Sequence, residues 1–145
     1  DHGKTLYDIL MDIYMEYGYS HEHTINVERP GKSGADEIQQ MMKDFRTTRP
    51  KDLGGSPISI YKDYQSLEMT KVDGSNEKIE MPDTSNVLQW FCSDGTKVSV
   101  RPSGTEPKIK FYLEIKDKMC SASDYPACEQ RAVTKIEEIK KSLKL

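Results

Sequence analysis

Residues 101–116 read Arg101-Pro102-Ser103-Gly104-Thr105-Glu106-Pro107-Lys108-Ile109-Lys110-Phe111-Tyr112-Leu113-Glu114-Ile115-Lys116. From Ile109 onward the apolar residues Ile109, Phe111, Leu113 and Ile115 alternate with Lys110, Tyr112, Glu114 and Lys116. A period of two belongs to a β-strand, whose successive side chains point to opposite faces, so this strand has one dry and one wet side. The dry side must be covered, and an antiparallel sheet with helices on one face is the economical packing.

Working outward, Val87–Cys92 and Thr96–Arg101 flank Asp94-Gly95, a dipeptide that suits a tight type I′ hairpin. Further upstream Ile58 and Ile60 alternate with Ser59 and Tyr61, which predicts a strand that continues after an irregularity into Leu67–Val72. Gly54-Gly55-Ser56-Pro57 is a turn before it, and Asp73-Gly74-Ser75-Asn76 a polar loop after it.

Helices are expected in three places. Leu6, Ile9, Leu10, Ile13, Tyr14 and Tyr17 recur at helical spacing over 5–17, with Thr5 and Asp8 as a capping box and Gly18 as a left-handed stop. Ser33 with Asp36 caps a second helix carrying Ile38, Met41, Met42 and Phe45, ended by Arg49-Pro50. A third starts near Asp124-Tyr125-Pro126 and aligns Cys128, Ala132, Ile136, Ile139 and Leu143. With a short strand at Thr24–Glu28, the expected order is strand, helix, about four strands, helix: an α+β fold. The first helix is assigned to whatever precedes this domain, because the polar stretch Tyr19–Glu28 offers it little to pack on.

The 145 residues suit one compact domain with a short element to spare, since domains commonly run to about 100–150 residues. A 35% apolar and 31% charged composition with mean hydropathy −0.74 is that of a soluble globular protein. Net charge −3 with scattered Lys and Arg offers no basic stripe for nucleic acid. No run of about 18 apolar residues is present to span a bilayer, and no leader pattern opens the chain, so a cytoplasmic location is expected. Cys92, Cys120 and Cys128 match no disulfide or zinc spacing and are read as reduced thiols. His2, and His21-Glu22-His23 in a polar connector, are read as solvated surface, so no metal site is expected. The opening at Asp1 in place of methionine is read as the start of a fragment.

The bend Arg101–Lys108 carries more than a turn requires. Pro102 and Pro107 stiffen its flanks, Gly104 admits a close ligand, and Ser103 and Thr105 bring hydroxyls beside amides. Arg101 adds a planar fork of donors and Lys108 a point charge, which together suit a tetrahedral anion. Spacing alone leaves a second reading equally open, a rigid hairpin bend in which Arg101 pairs with Glu106.

The twelve positions from Arg101 to Tyr112 resemble the phosphate-binding loop and following strand of the phosphoglucomutase/phosphomannomutase (phosphohexomutase) superfamily. Gly3–Asp8 and Tyr17-Gly18-Tyr19 are similar to the closing helix of that family's third domain, and Gly34–Arg46 to a helix opening its fourth. The resemblance implies that residues 1–20 end the third domain and 21–145 form the C-terminal domain. It further implies a TATA-box-binding-protein-like fold, a four-stranded antiparallel core of order β-α-β4-α.

By the same resemblance, Arg101, Ser103, Gly104 and Thr105 contact the substrate phosphate that is not being transferred, with Lys108 as a neighbour. The intact enzyme would interconvert sugar 1-phosphate and sugar 6-phosphate, glucose favoured over mannose or pentose, through a phosphoserine and a sugar bisphosphate. The family's serine loop, magnesium loop and sugar-reading loop have no counterpart in this sequence. The chain alone is therefore expected to be inactive, holding no catalytic residue and no metal ligand, with Mg2+ bound by a domain absent here. Its expected partners are the phosphosugar and the rest of the same polypeptide, with no nucleic acid and no membrane. The rival from another class is a stand-alone sheet-type binding module.

Overall fold

The computed structural model describes residues 3–145; Asp1 and His2 lie outside the described residues. In chain order the elements are α1 (Leu6–Tyr17), β1 (Tyr19–Glu28), α2 (Gly34–Thr47), β2 (Asp52–Leu53), β3 (Ser56–Asp63), β4 (Glu68–Lys71) and β5 (Asn76–Lys78). They continue as β6 (Leu88–Cys92), β7 (Lys97–Pro102), β8 (Lys108–Asp117), a 3-10 turn at Ala122–Asp124 and α3 (Tyr125–Ser142). No helix among the described residues is long and apolar enough to cross a membrane.

Strands run β1-β8-β7-β6-β3-β4-β5 across one antiparallel sheet, with β2 paired to β3. The expected α+β core is present as β1, α2, β3, β6, β7, β8 and α3. It is wider than four strands. β1 is ten residues long and pairs with β8 throughout, from Tyr19↔Asp117 to Glu28↔Lys108. That placement corrects the reading of His21 and His23 as connector residues: they lie in β1, and His21 Nδ1 is 2.9 Å from the Tyr19 hydroxyl. The polar composition of β1 hid it because its ladder bonds come from a strand remote in sequence, and it needs few apolar residues of its own.

Local chemistry explains three further departures. Asp94-Gly95 closes a hairpin, but Gly95 alone has positive φ, at 93°. Its amide donates to Cys92 O at 3.1 Å and the Cys92 amide to Thr96 O at 2.8 Å, the pattern of a three-residue loop with a glycine bulge and not of a type I′ turn. In β3 the register slips between Ile58 and Ile60, so Ser59 is a bulge residue. Ile58 is buried, Ile60 moves to the open face, and Tyr61 takes the covered side opposite Trp90, its hydroxyl donating to Pro50 O at 2.6 Å. Beyond β3 the chain reverses through Leu67, whose φ is 58°, so β4 folds back on β3 where a continuation was expected.

The helix starts divide. Thr5 and Asp8 form the capping box, with both bonds at 3.1 Å. Ser33 makes no cap, and its hydroxyl bonds Glu37 Oε1 at 3.0 Å. Gly18 ends α1 with the positive φ expected of a glycine stop, 93°, but its ψ of 157° lies outside the left-handed helical well, so the chain leaves directly into β1.

α2 and α3 cover one face of the sheet. Phe45 of α2 meets Trp90 and Phe111 edge-on at 5.2 and 5.9 Å, and α3 buries Cys128, Ala132, Ile136 and Ile139. Ile109, Phe111, Leu113 and Ile115 all face this core, as the alternation required. α1 docks at its edge through Met11 and Tyr14, the latter 5.1 Å from Tyr19 and 6.1 Å from Tyr125. Its other apolar stripe, Leu6, Ile9, Leu10, Ile13 and Tyr17, is exposed, with Leu6 at 87% and Tyr17 at 78%.

Because the two faces of β8 differ so sharply, neighbouring substitutions there should separate. Phe111→Ala is expected to cost about 3–5 kcal/mol in urea unfolding, whereas Tyr112→Phe next to it should stay within about 0.5 kcal/mol. The thiols give a second check. Burial pushes the Cys92 thiol up to about 11, and Cys128 is likewise buried with its thiol raised, while Cys120 is exposed. A thiol reagent at pH 8 should therefore modify Cys120 quickly and the other two only after unfolding.

Candidate functional site

The bend between β7 and β8 is tied at its base. The Ser103 amide donates to Lys108 O at 2.9 Å and the Lys108 amide to Glu106 O at 2.8 Å. From outside, the Arg29 amide donates to Pro107 O at 2.9 Å. Gly34, the first residue of α2, sits where a Cβ would lie 1.8 Å from Arg29 O and 3.1 Å from Pro107 Cβ. Only glycine fits there, so the start of α2 buttresses the bend through these two neighbours.

Inside the bend, Ser103 Oγ accepts from the Glu106 amide at 3.2 Å and, weakly, from the Thr105 amide at 3.4 Å. The serine oxygen therefore shapes the loop, and its hydroxyl hydrogen remains to be donated. The Gly104 amide and the Thr105 hydroxyl have no partner among the described residues. Gly104 lacks a positive φ, and a Cβ there would meet nothing within 4 Å. Neither backbone angle nor packing demands glycine at 104; the space a side chain would fill is open.

The cations sort themselves differently from the sequence reading. Lys108 Nζ lies 3.1 Å from Glu106 Oε2, so this lysine's charge is already matched. The alternative pairing of Arg101 with Glu106 is not formed. Arg101 is exposed and has no carboxylate within ion-pair distance among the described residues. Directly across the ladder from it stands Lys110, equally without a carboxylate. Two like charges opposed on a sheet repel, by up to about 1 kcal/mol at roughly 5 Å in water-like surroundings.

Lys110 was not among the expected site residues. It could have been found by counting cross-strand pairs outward from the bend, because Pro102↔Ile109 puts Arg101↔Lys110 next. The assembled site is thus Arg101 and Lys110 as unmatched cations, the Gly104 amide and the hydroxyls of Ser103 and Thr105 as donors, and Lys108 held back by Glu106. Such a set can bind an oxyanion. Its donors are wrong for a divalent cation, which takes carboxylate and carbonyl oxygens.

Residues 25–119 match the family described as phosphoglucomutase/phosphomannomutase, C-terminal domain. A phosphoglucomutase of Staphylococcus haemolyticus is 34% identical over 114 residues, covering 78% of this chain and 20% of that protein. A phosphoglucomutase of Staphylococcus aureus is 34% identical over 116 residues, covering 79% and 21%. The chain thus spans about a fifth of the length of the curated relatives it matches. Among solved structures, pp63/parafusin from Paramecium in its open form superposes with TM-score 0.43 at 17% identity, covering 98% of this chain and 24% of that one.

Gly104 gives the sharpest test of whether the open space matters. Gly104→Ala should leave the chain as stable as before or up to about 1 kcal/mol more stable, since alanine restricts the unfolded state. The same substitution should weaken inorganic phosphate binding measured by calorimetry. Undiminished binding would show that no ligand approaches that backbone.

Proposed function

The chain belongs to the phosphoglucomutase/phosphomannomutase C-terminal-domain family, and from that premise we propose that it is the phosphate-gripping lid of a phosphohexomutase. The observation that carries the reading is the pair Arg101 and Lys110, opposed and unmatched beside a bend with a spare amide and two spare hydroxyl donors. A phosphate ester supplies the missing negative charge and accepts from all of these groups. Bonds to a charged acceptor contribute about 1.5–3 kcal/mol each, enough for a few to hold a phosphate against water.

In the whole protein the bend holds the phosphate that is not being transferred, while a phosphoserine on another domain exchanges the second phosphoryl group with the sugar. The sugar bisphosphate formed on the way then turns round, and the same clamp takes its other end. Glucose phosphate is the favoured substrate, in keeping with the names of the relatives. This chemistry depends on positioning and charge stabilisation, which a rigid clamp supplies. Magnesium, when bound to the whole protein, would stabilise charge on the transferring phosphoryl group; the bend does not suit it, because its one carboxylate, Glu106, is paired with Lys108 and its free groups are donors and cations.

Residues 1–20 are read as the end of the preceding domain. The outward stripe of α1, from Leu6 to Tyr17, is a surface that the remaining polypeptide covers. Closure and opening of the lid would turn about the glycine at 18, where helix passes directly into strand. Alone, the chain carries out no turnover.

The test is kinetic and uses the full-length enzyme. Arg101→Ala should lower kcat/KM for glucose 1-phosphate by about one to two orders of magnitude, corresponding to about 1.5–3 kcal/mol of lost bonding. The phosphoserine content measured by mass spectrometry should not change. Wild-type turnover at low substrate would refute the clamp.

A further inference from the structure

The two ends of the sheet are unlike. At one end β5 is three residues long and its neighbour β4 four, with Glu77 and Lys78 in the outermost strand. Short, charged strands of this kind keep a sheet from pairing with other chains. At the other end β1 runs for ten residues, about twice the length of a typical strand. It contains no proline and no lysine, and its register with β8 is unbroken by a bulge. None of the usual protections of an edge is present in its backbone.

The ladder fixes which backbone groups of β1 are left open. The Arg29 amide donates to Pro107 O, so these two residues form a hydrogen-bonded pair. Bonded and non-bonded pairs alternate along an antiparallel ladder, and by that count Tyr19, His21, His23, Ile25 and Val27 bond to β8. Ser20, Glu22, Thr24 and Asn26 therefore turn their amides and carbonyls away from β8, where no strand among the described residues meets them. The one side-chain bond to this edge among the described residues is from Arg29 Nη1 to Glu28 O, at 3.1 Å. Glu22, Thr24 and Asn26 are exposed. A row of open strand groups of this length is a template for another strand.

We propose that β1 pairs with β1 of a second copy of this chain, antiparallel about a twofold axis at Thr24, so that the two sheets become one. An antiparallel partner must bring its own outward residues opposite Ser20, Glu22, Thr24 and Asn26, which leaves few registers. With the axis at Thr24, Ser20 lies opposite Glu28 of the second copy, Glu22 opposite Asn26, and Thr24 opposite itself. No like charges meet, the Asn26 carboxamide can donate to the Glu22 carboxylate, and paired threonines are a favoured cross-strand contact. Moving the axis to Ile25 sets Glu22 against Glu28 on both sides of it, a destabilising arrangement. Moving it to His23 leaves Val27 and Glu28 outside the ladder. On the covered side the favoured register lays His21 against Val27 and His23 against Ile25, each imidazole beside an aliphatic group. Each copy has one long edge, so the twofold pairing closes on itself as a dimer and does not grow into a fibre. The pairing stands independently of the phosphate clamp.

Sedimentation equilibrium of the 145-residue chain should give twice the 16.6 kDa mass of one copy at high concentration, falling to a single mass on dilution. Thr24→Pro separates the edge from the fold: β8 does not use the Thr24 amide, so proline is tolerated there, yet it removes an outward donor and blocks the approach of a strand. This variant should sediment as a monomer with the circular dichroism of the unaltered chain. Thr24→Lys, which sets two ammonium groups face to face on the axis and leaves the backbone intact, should be monomeric too and serves if proline disturbs the strand. Cross-linking reads the register. In a Cys120→Ser background, which removes the exposed thiol, Thr24→Cys should oxidise in air to a disulfide-linked dimer, because a hydrogen-bonded pair holds its Cα atoms about 5.5 Å apart. Ser20→Cys in the same background should not, since the two positions would lie about 27 Å apart along the ladder. A monomer at every concentration, a dimer that survives both Thr24 variants, or cross-linking through Ser20→Cys in preference to Thr24→Cys overturns the pairing.

Discussion

The pleat of β8 is the constraint on which the rest depends. Ile109, Phe111, Leu113 and Ile115 must lie under α2 and α3, and this fixes Lys108, Lys110, Tyr112 and Glu114 on the opposite side. A slip of one residue would put four apolar side chains into water and four polar ones into the core. Burial of even one large core side chain is worth about 1.5–3 kcal/mol, so the register is held far more firmly than any polar contact on the open face could hold it. The cost of opposed like charges there, about 1 kcal/mol or less per pair, is small by comparison. The core can therefore impose unfavourable charge pairings on the open face, and those pairings are where ligands of opposite character gain most.

This division of labour explains how the bend can be both rigid and unfinished. Its base is closed by backbone bonds, its flank is buttressed by Arg29 and by the close approach of Gly34, and Ser103 gathers the amides within. What is left over is a set of donors without a partner among the described residues. Glu106 removes Lys108 from that set, so the positive charge concentrates at Arg101 and Lys110 on the strand pair itself. An anion held there, as proposed, would touch rigid elements, which suits positioning better than a mobile loop would.

Much of this was legible in the residue order, and the failures have physical causes. Alternation along β8, the helical spacing in α1 and α3 and the composition of the bend could be read directly, because each is a local property. The first half of β1 shows no strand pattern of its own, because its polar residues take their ladder from β8, far away in sequence. The bulge at Ser59 sent Tyr61 and not Ile60 to the covered side, since one inserted residue reverses the alternation that hydrophobicity alone would extrapolate. The hairpin at Asp94-Gly95 uses a three-residue loop because only the glycine takes positive φ. At the site, Arg101 is exposed and has no carboxylate partner among the described residues, the space beside Gly104 is open, Ser103 is turned partly inward, Lys108 is paired with Glu106, and Lys110 comes opposite Arg101 through strand register, which no local pattern displays.

Sequence by itself determined which residues could form strands and helices, which faces must be dry, and that a bend rich in glycine, hydroxyls and cations joins two strands, because propensity, periodicity and side-chain chemistry are carried by the residues themselves. Only the tertiary structure decided which charges meet. Arg101 faces Lys110 and Glu22 faces Glu114 because of register between strands. Register is set jointly by the shared core and the closing of the bend, and no single segment contains that information.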